Sequence, residues 1–247
     1  MRKLFSRLGV VLLVALFAMV LPAQVFGAPV KLDDSTLFVQ FWPEGEAGTN
    51  VVIVGVELDA GTTLPATVRL PIPKGATVFW AGEIIGPDPA TDIQRDFTLV
   101  DGAEGQLVEF TVETTRAVQF DATVGAIDID GDDIVTSLQW LQSISSKSVS
   151  FAVRVPAAVD DIRITPEPPA GDPQTNSVGE KLYTLADQIL VPGDTTKLEV
   201  RYRRAGLASE SGGPSVLVIL GGLLALAVIA LVVALAVQNK RRVAEED

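Results

Sequence analysis

Apolar and polar residues alternate with a period of two over most of the chain between residues 29 and 206, and this pattern limits the fold more than any other feature. Val108, Phe110 and Val112 alternate with Glu109, Thr111 and Glu113; Val149, Phe151, Val153 and Val155 alternate with Ser150, Ala152 and Arg154. Leu198, Val200 and Tyr202 alternate with Glu199, Arg201 and Arg203. Successive side chains of an extended chain point to opposite faces, so each run is read as a strand with one face turned inward. Seven further stretches read the same way: TLFVQFW, NVVIVGVEL, ATVRLPIP, ATVFWAG, RAVQFDATV, IVTSLQWL and DIRITP. NVVIVGVEL is almost wholly apolar and is expected at the centre of a sheet.

Turn residues separate the runs, as at Asp59-Ala60-Gly61, Pro73-Lys74-Gly75, Asp101-Gly102 and Pro192-Gly193-Asp194. No helical period is sustained between the ends, EKLYTLADQIL coming nearest. The expectation is an all-β region, an immunoglobulin-like or fibronectin-like sandwich, either one large unit or two in tandem with a seam at residues 125–133. TPEPPAGDPQTNS is expected to be a long loop or hairpin excursion.

The 247 residues include no Cys and no His. Disulfides, thiol nucleophiles, imidazole chemistry and the common zinc, copper and haem ligand sets are therefore excluded. A fold without disulfides must be held by its apolar core. Carboxylate binding of hard cations is the metal chemistry left open.

The two ends differ from the middle. MRKLFSR is followed by LGVVLLVALFAMVL, an uncharged run ending at Pro22, and then by short residues at Val25, Gly27 and Ala28. Residues 1–28 are thus read as a signal peptide. Ser215 to Val237 is uncharged and would form a helix about 35 Å long, enough to cross a bilayer. Gln238 and then the cluster Asn239, Lys240, Arg241 and Arg242 follow, and such basic residues mark the cytoplasmic side of a membrane span.

The expected layout is a signal peptide (1–28), an extracytoplasmic β region (29–206), a flexible stalk (207–214), one transmembrane helix (215–237) and a cytoplasmic tail (238–247). This places the protein in the cytoplasmic membrane with its bulk outside. Within the span, Gly221 and Ala225, and Ala230 and Ala234, are small residues spaced for close helix approach, so self-association through the helix is an open expectation.

Without the basic and acidic residues of the two ends, the outer region keeps 13 basic and 28 acidic residues, a net charge of about −15. Such a surface repels nucleic acid and anionic headgroups. The partners expected are the membrane, through one helix, and a protein or envelope component.

Asp128, Asp130 and Asp132 have the alternate spacing of a calcium loop. Asp133 stands where such a loop needs Gly, however, and Gln139 stands where it needs a closing acid. Asp and Gly also suit a hairpin tip, which is the favoured reading, with calcium at these three residues as the alternative and no other cofactor expected. The pairs Asp33/Asp34 and Asp160/Asp161 are adjacent and point to opposite faces of a strand. Ser146 and Lys147 lack the helical spacing of a Ser–Lys dyad. Trp42, Trp80 and Trp140 could form a carbohydrate-stacking platform, but burial of all three is favoured.

The order LFVQFWPE, LPATVRLPIP, LVEFTVETTRAVQFD, SVSFAVRVPAAVDDIRITPEP and EKLYTLADQILVPGDTTKLEVRYRR, followed by one span, resembles bacterial exported single-pass membrane proteins of unassigned function. The resemblance implies an exported β-sandwich and transfers no catalytic residue. A membrane-tethered, non-enzymatic binding or assembly module is the favoured function. A tethered hydrolase acting on envelope polysaccharide through carboxylates is the alternative.

Overall fold

A computed structural model describes residues 28–45 and 48–204. The signal peptide, stalk, span and tail expected from the sequence lie outside these residues. Among the described residues no helix is long and apolar enough to cross a membrane.

The fold is all-β. Fifteen strands follow in order: β1 Thr36–Trp42, β2 Val51–Glu57, β3 Ala66–Pro71, β4 Thr77–Glu83, β5 Ile93–Gln94, β6 Phe97–Asp101, β7 Gln106–Val112 and β8 Ala117–Thr123. They continue with β9 Asp128–Asp130, β10 Asp133–Leu141, β11 Ser148–Val155, β12 Asp160–Thr165, β13 Gln174–Thr175, β14 Lys181–Thr184 and β15 Thr195–Arg203. All ten runs that alternate in the sequence are strands. The five added ones, β5, β6, β9, β13 and β14, are two to five residues long and too short or too polar to show a period.

Three sheets result, with orders β13-β14-β11-β1-β2-β8-β4-β5, β12-β15-β10-β9 and β3-β7-β6. As its apolar run predicts, β2 lies inside the eight-stranded sheet. β1 pairs antiparallel with β2 and parallel with β11, so strands from both sides of residues 125–133 share this sheet. The core is one apolar cluster to which all three sheets contribute, including Phe41, Val54, Phe120 and Phe151 from the large sheet. Leu70 and Phe110 join it from the three-stranded sheet, and Trp140 and Val200 from the four-stranded one.

Specific contacts tie the sheets together. The rings of Trp140 and Phe151 meet edge to face with centroids 6.0 Å apart. Buried Asn50, just before β2, donates to the Thr136 hydroxyl at 2.6 Å and to the Ala126 carbonyl at 3.2 Å. The buried Tyr202 hydroxyl donates to Glu44 at 2.9 Å, and Arg204 pairs with the same carboxylate at 2.8 Å. Burial, reinforced by the Glu44 charge, raises the pKa of Tyr202.

The other polar anchor is Glu83, whose side chain is fully buried. It accepts hydrogen bonds from the backbone N–H groups of Glu113, Thr114 and Thr115 at 3.0, 2.6 and 2.6 Å, and from Arg95 Nε at 2.7 Å. Burial acts to raise its pKa, but these donors outweigh burial and hold it below the usual carboxylate value. One carboxylate thus fastens the β7–β8 turn to the end of β4.

Candidate binding face

The inner face of the eight-stranded sheet is core; the outer face carries the candidate site. Leu37, Val39 and Phe41 of β1 are buried, so the intervening Phe38, Gln40 and Trp42 turn outward. Register then fixes their neighbours. Gln40 lies opposite Ile53, Ile53 opposite Asp121, and Asp121 opposite Trp80. Phe38 lies opposite Gly55, and Gly55 opposite Gln119.

A bulge adds a further aromatic residue. The pairing of β4 with β8 shifts between Val78 and Trp80, so Phe79 and Trp80 together oppose Asp121. Val78 and Ala81 pack on the core to either side, while Phe79 is 45% exposed and Trp80 half-buried. The Trp80 ring lies along the sheet over Gly82, where an added Cβ would meet ring Cζ2 at 2.9 Å. Phe38, 53% exposed, stands three strands away, about 14 Å across the sheet. Between them Gln119 Nε2 donates to Asp121 Oδ1 at 2.7 Å.

Toward the β13 edge, the Arg154 guanidinium sits 4.2 Å from the centre of the Trp42 ring. Arg154 also pairs with Glu180 at 2.6 Å. Gln40, Arg154, Gln174, Asn176, Glu180 and Leu182 line a recess of about 280 Å³ there. The favoured burial of the tryptophans is therefore corrected for two of them. Trp140 is fully buried, whereas Trp42 and Trp80 are half-buried on the outer face. Even positions of β1 face out, and the bulge in β4 re-aims Trp80.

The acidic stretch forms a hairpin. Asp128–Asp130 pair with Asp133–Val135 across Gly131 and Asp132, and Gly131 takes the positive φ of 63° that a tight hairpin turn requires. Asp128 and Asp130 lie on β9, Asp132 is in the turn, and Asp133 pairs with Arg203 at 3.3 Å. Among the described residues no group of three or more acidic side chains is arranged to hold a metal ion.

A larger cleft, about 1170 Å³, is lined by Phe97, Phe110, Arg95, Asp96, Glu109 and Glu113. Glu109 is bonded to Arg69 at 2.6 Å and Glu113 to Arg95 at 2.9 Å. Each carboxylate is thus held by its own arginine, and the two residues stand four positions apart in the chain, roughly 13 Å of extended backbone. Glu83, held by its donors, and Glu199, bonded to Lys197, have lowered pKa values, the direction opposite to that of a general acid.

No known family model matches the chain, and no curated protein does.

Proposed function

We propose that the described region is the extracytoplasmic binding or assembly unit of a protein anchored in the cytoplasmic membrane by one helix. It is built as a single immunoglobulin-like sandwich, a reading supported by the shared sheet and core across residues 125–133. The aromatic outer face carries the proposal. Phe38 and Phe79, 53% and 45% exposed, and half-buried Trp80 share the outward face of one sheet in a region with net charge of about −15.

β15 ends at Arg203, and the uncharged run begins at Ser215. In this layout the end of the domain bearing Glu44, Asp133 and Arg203 is the one joined through the stalk to the span. A photo-crosslinker placed at residue 79 in intact cells should capture envelope material, and one at Arg163, exposed on β12, should not. Equal capture from both positions, or none from 79, would overturn the proposal.

A further inference from the structure

We infer that the outer face of the eight-stranded sheet binds a neutral glycan chain laid across the strands, from the recess beside Gln40 to the Trp80 ring. This rests on the reading of that face as the binding surface. A pyranose ring has an apolar C–H face and a rim of hydroxyls, so its site needs flat aromatic surface interleaved with hydrogen-bonding groups. The row Gln40, Ile53, Asp121, Trp80 supplies that alternation in register across four adjacent strands.

The floor is kept low where Gly55 lies between Phe38 and Gln119. Trp80 lies along the sheet instead of projecting from it. At the far end the recess of about 280 Å³ is near the lower limit of small-ligand pockets, about 300 Å³, and is lined mainly by polar side chains. The Gln40 amide lines this recess and offers donors and an acceptor to hydroxyls. From β14 to β4 the face spans five strand spacings, about 24 Å, room for several sugar rings.

Charge selects among glycans. A region with net charge of about −15 opposes uronate or phosphate polymers, so the ligand is uncharged. A protein partner would call for a contiguous apolar centre, whereas here Gly55, Gln119 and Asp121 separate Phe38 from the adjacent Phe79 and Trp80.

The test uses the full chain in lipid nanodiscs, since glycoside detergents would compete. The probes are hexamers of β-1,4-glucose, β-1,4-N-acetylglucosamine and α-1,4-glucose, followed by calorimetry and tryptophan fluorescence. Trp140 is buried and Trp42 lies beneath Arg154, which leaves Trp80 as the reporting ring. At least one hexamer should bind saturably, with Trp80→Ala and Gln40→Ala each weakening binding about tenfold or more. Trp80→Phe should keep most of the affinity, and Gln40→Ala should leave the melting temperature unchanged. Binding by no hexamer, or binding indifferent to both alanine variants, would overturn the inference. If no hexamer binds but crosslinking from residue 79 persists, the glycan assignment falls and the binding face stands; if both fail, both readings fall.

Discussion

Replacing Glu83 with Gln keeps the shape of the side chain and removes its charge. All four hydrogen bonds to the Glu83 carboxylate come from donors: three backbone N–H groups and Arg95. A glutamine amide must turn its own NH₂ toward some of them. Arg95 keeps Glu113, whose side chain is 57% exposed, and so is only partly orphaned. Breaking a buried ion pair costs about 3–5 kcal/mol, and the remaining partner places the expected loss at the lower end, about 3 kcal/mol. For a region of this size that lowers the melting temperature by about 6–12 °C.

The pH dependence has a definite sign. The folded pKa of Glu83 is lowered, so its stabilisation is present above the unfolded value of about 4.3 and is lost as pH falls through the folded pKa. The gap between wild type and Glu83→Gln should therefore be full at pH 7 and shrink below about pH 4. Urea unfolding of residues 29–206, followed by fluorescence at both pH values, measures it. A loss under about 1 kcal/mol at neutral pH, or a gap that does not change with pH, would refute the reasoning.

Phe151→Ala removes a fully buried ring in edge contact with Trp140 and should cost about 3–5 kcal/mol in the same assay, with a shift in Trp140 emission. Asparagine at Asp128, Asp130 and Asp132 together should leave the melting temperature nearly unchanged, and millimolar calcium should not raise it in wild type; a saturable rise abolished by the triple variant would instead favour calcium binding at these three residues. Residues 29–206 expressed alone should fold cooperatively into a β-rich unit indifferent to reductant, as circular dichroism would show. In cells, external protease should reach this region while a tag after Asp247 stays protected.

The strands were legible because runs of seven to nine residues such as β1, β10 and β11 show the two-residue period with β-branched and aromatic residues. Alternation also placed Phe110, Phe151 and Tyr202 inward, where they are buried. It could not place Trp80. In ATVFWAG the inserted Phe79 shifts the period by one, and such a shift exchanges the two faces for every residue beyond it. Glu83 was illegible for a different reason. Its three backbone donors lie 30, 31 and 32 residues away, in a turn whose sequence gives no sign of a buried carboxylate.

The parallel pairing of β1 with β11 bears on how the chain is made. Thr36 and Ser148 are register partners 112 residues apart, and their hydroxyls lie 2.9 Å from each other. As the chain emerges N-terminus first, β1 finds β2 almost at once, but its other edge stays open until β11 has been synthesised. During that interval five strands, β1, β2, β8, β4 and β5, can assemble with an unpaired edge at β1. An open edge invites pairing with another chain, and contacts so distant in sequence slow closure. Newly made molecules should thus be most prone to aggregate when stalled between residues 124 and 148, after β8 is complete and before β11 begins.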